Sequence, residues 1–99
     1  MTTDEKKERL RQLANVDFPA AAKAGRFPIV LNHCFLRVVY DHVAQDMWKN
    51  VLTGKGPAIH QLSGEQLDLA IATGEAMLTD RELTSKLNQE SLAFRGKLK

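Results

Sequence analysis

One cysteine, one tryptophan, one tyrosine and three prolines are spread over 99 residues, and each scarcity removes a class of protein. Cys34 alone cannot build an internal disulfide framework, so nothing calls for an oxidising compartment and a cytoplasmic setting is the expectation. The longest uncharged run, Phe27 to Leu36, has ten residues and includes Asn32 and His33, well short of the roughly 20 apolar residues of a membrane span. Met1 to Arg11 is charged with no apolar stretch behind it, unlike a secretory signal. Strand-like alternation of β-branched residues is missing, and the chain is too short for the βαβ architecture of nucleotide-dependent enzymes. Neither C-x-x-C nor H-x-x-x-H occurs, so His33, His42, His60 and Cys34 lack the spacing of a zinc site. No metal and no cofactor are expected.

What is present is 43% hydrophobic and 26% charged with a net charge of +2, the composition of one small all-α domain spanning residues 1–99. The first helix is expected from about Asp4 to Ala14, with Thr2 and Glu5 spaced for a capping box. Its apolar stripe is only Leu10, Leu13 and Ala14. Residues 1–25 are therefore expected to form a mobile, loosely attached arm, broken at Asn15 to Phe18 and followed by a short turn from Pro19 to Gly25.

The apolar residues concentrate between Asn32 and Leu52. Phe35, Val39, Val43, Met47 and Val51 recur every four residues, and Leu36, Tyr40, Ala44, Trp48 and Leu52 form the next stripe. The pattern predicts one long central helix, buried on most sides. Asn32 is a candidate N-cap for it, or Pro28 a first-turn proline, and Gly54 a C-terminal cap. Ser63 with Gln66, flanked by Leu62 and Leu67, reads as a capping box with a hydrophobic staple opening a third helix, about Gly64 to Leu78. Gly74 on its apolar face suggests close approach of a neighbouring helix. Thr79 with Glu82 repeats the device before a fourth helix, about Asp80 to Arg95, which ends at Gly96. A small four-helix domain follows. The apolar surface of its central helix is wide enough to predict a homodimer through that face.

The densest group of functional side chains is Asn32, His33, Cys34, Arg37 and Asp41. His33, Arg37 and Asp41 lie four apart on one helix face, where Arg37 would anchor an anion, Asp41 would orient it and His33 would supply a pH-sensitive donor. The competing reading is an Arg37–Asp41 surface ion pair with His33 in water. Asn32, His33, Arg37 and Asp41 are accordingly the candidate ligand-binding residues of a non-enzymatic binding or adaptor module, its partner an anionic small molecule, an acidic peptide or another protein. An enzyme alternative uses His33 as general base, but no second titratable group completes it. Cys34 is not aligned with His33, since adjacent helical residues point about 100° apart, and reads as a small core residue.

Nucleic-acid binding is the third class. Thr79 to Asn88 loosely follows the first helix and turn of a helix-turn-helix, with Gln89 to Arg95 as recognition helix. Gln89 occupies a normally apolar slot, and Arg95, Lys97 and Lys99 make only a weak basic footprint. The glycine-bearing loop Thr53 to Pro57 follows a helix rather than a strand, which does not suit a phosphate cradle.

The segment Phe27 to Asp41, with its core Asn32-His33-Cys34-Phe35-Leu36-Arg37, followed by Trp48 and by Asn88 to Lys97, resembles a group of short helical proteins of unassigned role. Some of these carry an acetyltransferase label. The resemblance covers most of the chain and implies a small helical fold. It transfers no catalytic residue, because Val51 stands where the coenzyme loop of acetyltransferases has Gln or Arg.

Overall fold

The computed structural model describes residues 1–29 and 31–96, so the basic-tail residues Lys97 and Lys99 lie outside the described residues. Every regular element among the described residues is helical. α1 runs Thr3–Gln12 and opens on the expected capping box: the Thr2 hydroxyl accepts from the Glu5 amide, and the Glu5 carboxylate accepts from the Thr2 amide. Those Thr2 hydrogen bonds hold the Glu5 carboxyl below its ordinary value.

The expected break at Asn15 to Phe18 is not a break. Leu13–Asp17 is a π turn in which the Phe18 amide reaches back to the Leu13 carbonyl, and α2, Phe18–Gly25, continues from it. An interior proline has no amide for the previous turn and crowds the carbonyl there; the wider turn just before Pro19 relieves both faults, so the helix bends its register and goes on. The consequence corrects the loosely attached arm. Leu10, Leu13, Ala14, Phe18 and Ala22 make one stripe, all fully buried. Lys6–Asp68 at 3.0 Å and Arg9–Glu75 at 3.0 Å add ion pairs from α1 to the later helix Gly64–Thr79. α2 closes with Arg26 in the left-handed region, and Gly25 lies so close to the Phe27 ring that a Cβ would meet its Cε1 at 2.5 Å.

α3 spans Asn32–Ala44 and α4 spans Trp48–Val51, so the long central helix expected from Asn32 to Leu52 is corrected to a shorter helix, a turn and a single helical turn. Gln45 ends α3 with φ 55°, and the Asp46 amide returns to the Asp41 carbonyl at 3.3 Å. Met47 and Trp48 then give their amides to the carboxylates of Asp46 and Asp41. Neither glycine nor proline marks this stop. Leu31, extended, precedes α3 as its cap without a side-chain bond, so Asn32 is the first helical residue rather than the N-cap.

α5, Gly64–Thr79, begins with the expected box, Ser63 and Gln66 exchanging both hydrogen bonds. It runs one residue further than its sequence signal, which makes Thr79 helical. Asp80, extended, caps α6 (Arg81–Phe94) instead, its Oδ1 accepting the Leu83 amide at 2.9 Å. α6 gives way at Arg95, its C-cap, and the chain turns at Gly96, which has φ 68°.

The helices form a slab of 32 × 31 × 18 Å, about two helix layers thick given interaxial distances of about 8–10 Å. α3 lies at the centre. Phe35 packs on Phe18 with ring centroids 4.5 Å apart, and a Cβ on Gly74 would meet the Phe35 Cζ at 2.8 Å. The glycine is the close approach anticipated for α5. Phe35, Val38, Val39 and Tyr40 are buried within a single chain, so this part of the central-helix surface no longer calls for a second copy.

Candidate functional site

The face of α3 that carries Arg37 and Asp41 turns towards α6. Asp41 is fully buried and accepts four hydrogen bonds: from Arg95 Nε at 2.9 Å and Nη2 at 3.1 Å, from Ser91 Oγ at 2.6 Å, and from the Trp48 amide at 2.9 Å. Its cation is Arg95, more than fifty residues away, not Arg37. Arg37 instead gives an Nη2 hydrogen bond to the Asn88 side chain, and its buried Nε has no partner among the described residues. His42, half-buried one step along, meets Glu90 with Nδ1 to Oε1 at 2.8 Å. The expected seam is thus an interhelical polar contact at Arg37 and Asp41. His33 stands apart from them, exposed on the first turn of α3. Asp41 has its carboxylate fully used and orients the turn that launches α4 rather than a ligand.

Helix α6 is continuous through Asn88, so the turn that a helix-turn-helix needs there is absent, and Arg95 is engaged by Asp41. Cys34 is partly buried against the core. The Thr53 to Pro57 loop is laced by Gln61, which accepts the Gly54 amide at 2.8 Å and donates to the Gly56 carbonyl at 2.8 Å. Among the described residues no three His, Cys, Asp or Glu side chains gather as metal ligands, and no helix is long and apolar enough to cross a membrane.

A cleft does exist on the neighbouring face of α3, which Leu36 and Tyr40 share about 100° round the helix from Arg37 and Asp41. It has a volume of about 360 Å³ and is walled by Ala14 and Asn15 of the π turn, Leu36 and Tyr40 of α3, Trp48 of α4 and the segment Pro57 to Ile59, with Arg11 at its edge. That volume sits near the lower end of the roughly 300–1,000 Å³ of small-molecule sites. The π turn contributes two of the wall residues, a common location for such turns. Tyr40 and Trp48 meet edge to face, with ring centroids 6.0 Å apart at 74°, and Lys49 Nζ lies 5.7 Å from the Trp48 ring centroid on a partly exposed surface.

The electrostatics are simple. Arg11 and Tyr40 are the ionisable residues among those lining the cleft. Burial pushes the Tyr40 phenol up to about 12, with the nearby Arg11 guanidinium pulling less strongly the other way. The hydroxyl is therefore a proton donor at ordinary pH and makes no hydrogen bond to a described residue. Among the described residues, Arg11 pairs with the exposed Glu8, at 3.4 Å. A second, shallower depression of about 390 Å³ shares Arg11 and Asn15 with the first.

Of the four candidate ligand-binding residues, Asn32 alone reaches this region. Its Nδ2 donates to Asn15 Oδ1 at 2.8 Å while its own Oδ1 accepts the His33 amide at 2.9 Å, tying the start of α3 to the cleft wall. Arg11, Asn15 and Pro57 to Ile59 carried no signal of their own. Tyr40 and Trp48 stand out as the chain's only tyrosine and tryptophan on one stripe, but such a stripe reads first as core. Comparison with protein-family models, with curated proteins and with solved structures gave no match, so the functional reading rests on geometry.

Proposed function

We propose that this protein is a non-enzymatic binding module that holds a small, largely apolar molecule in the cleft between the π turn, α3 and α4. The observation behind this reading is an open apolar cleft of about 360 Å³ lined by the Tyr40–Trp48 pair and reached by one guanidinium. Apolar walls with a few convergent polar groups are the usual makeup of ligand sites. The lining holds no pair of titratable groups set to pass a proton, and no nucleophile with a base beside it, so the geometry favours retention over turnover. His33, the base of the enzyme alternative, stands exposed on α3 with no described side chain to orient it.

Saturation-transfer NMR with 2-naphthamide, an uncharged bicyclic probe, tests the reading. Transfer is expected with the wild-type protein and its loss is expected in Leu36→Phe, which narrows the cleft from a half-buried wall position; circular dichroism verifies that the helices persist. No transfer to the wild type from this probe or from its carboxylate and ammonium counterparts, or equal transfer to the variant, would overturn it.

A further inference from the structure

The rim of the cleft supplies hydrogen-bond donors and no carboxylate. Arg11 contributes a guanidinium whose partner, Glu8, is exposed and 3.4 Å away with its side chain 75% accessible; exposed pairs of this kind hold weakly. Tyr40 contributes a hydroxyl with no hydrogen bond to any described residue, and burial of its ring keeps the phenol protonated. The third donor follows from a chain of constraints. Asn32 Oδ1 accepts the His33 amide, so Asn32 must present Nδ2 to Asn15, and Asn15 must therefore turn its Oδ1 to Asn32. What remains of the Asn15 side chain is its NH2 group. A positive charge and two neutral donors beside apolar walls match a group that accepts hydrogen bonds, carries negative charge and is attached to an apolar body.

We infer that the cleft selects small organic carboxylates, the carboxylate meeting Arg11, the Tyr40 hydroxyl and the Asn15 amide while an aromatic or short aliphatic body lies against Trp48. This deepens the binding reading above and rests on it. Neutral molecules of the same shape fill the same walls but leave the donors facing water. Cationic ones place like charge beside Arg11.

Three probes with one body separate the possibilities: 2-naphthoate, 2-naphthamide and 2-naphthylmethylammonium, each titrated while the Trp48 indole resonance is followed. The chain has one tryptophan, so the signal needs no assignment. The carboxylate is expected to bind about 10-fold or more tighter than the amide, the size of a hydrogen bond to a charged group, and to lose that advantage in Arg11→Gln while Arg11→Lys keeps part of it. Tyr40→Phe should reduce the advantage further. Equal affinity of carboxylate and amide, preference for the ammonium, or an advantage that survives Arg11→Gln would each overturn the inference and leave the binding reading standing. Failure of all three probes to bind would overturn both.

Discussion

Removing the Arg95 guanidinium should cost this small domain a large part of its stability. Arg95→Ala strips Asp41 of two of its four hydrogen bonds and of its counter-charge, while the carboxylate stays fully buried on the Ser91 hydroxyl and the Trp48 amide. Breaking a buried ion pair by deleting one partner costs about 3–5 kcal/mol, against a total of about 5–15 kcal/mol for a typical domain. With a urea slope of about 1.5 kcal/mol/M, the unfolding midpoint should fall by about 2–3 M. Arg9→Ala is the matched control. Arg9 also binds two carboxylates, Asp17 at 2.8 Å and Glu75 at 3.0 Å, but with side chains 27–50% accessible, where exposed pairs are worth about 1 kcal/mol or less each. Urea unfolding followed by circular dichroism measures both variants. Because Ser91 and Arg95 share Asp41, Ser91→Ala combined with Arg95→Ala should be non-additive. An Arg95→Ala loss no larger than that of Arg9→Ala would refute the buried latch.

Gly74→Ala gains about 1 kcal/mol of helix propensity yet drives a Cβ to 2.8 Å from Phe35 and 3.4 Å from Leu13; overpacking of about 1–3 kcal/mol should win, leaving a net loss in thermal unfolding that Phe35→Leu partly restores. Asp80→Ala should cost about 1 kcal/mol as a lost N-cap, whereas Thr79→Ala, at an exposed helical position, should fall within about 0.5 kcal/mol of wild type; urea midpoints distinguish them. Tyr40, the only tyrosine, should resist ionisation until about pH 12 in the folded state. Its folded pKa is raised, so its contribution is complete below the ordinary tyrosine value of about 10 and is lost as pH climbs from there to the folded value. An ultraviolet titration that showed normal phenolate formation near pH 10 with the helices intact would contradict the buried ring.

The parts of the fold legible in the sequence are those decided within a few residues. Thr2 with Glu5, Ser63 with Gln66 and the stop at Gly96 are local devices, and each is found where its pattern lies. Gly74 was legible because only a small residue sits on an apolar stripe for a reason of packing. Other local signals are off by one residue, Leu31 rather than Asn32 preceding α3 and Asp80 rather than Thr79 capping α6, while the two larger misplacements have causes elsewhere in the chain. α3 stops at Ala44 without a breaker because Asp41, locked by Arg95 from α6, also gathers the Trp48 amide. The N-terminal helix survives Pro19 through a π turn whose stripe only becomes thick enough when Phe18 and Ala22 join Leu10, Leu13 and Ala14 against the other helices. The site shows the same division. Spacing put His33, Arg37 and Asp41 on one face, of which Arg37 and Asp41 meet residues of the last helix and its cap while His33 does not; which face borders a cleft depends on Arg11, Asn15 and Pro57 to Ile59, brought in by tertiary structure.

The most direct test of where this protein binds is a ¹H–¹⁵N correlation spectrum recorded as 2-naphthoate is added. Shifts are predicted to concentrate on the Trp48 indole and on the amides of Ala14, Asn15, Tyr40 and Ala58, with Arg37, Asn88 and Ser91 unmoved. Shifts centred on His33 and Arg37, or none at saturating probe, would contradict the account.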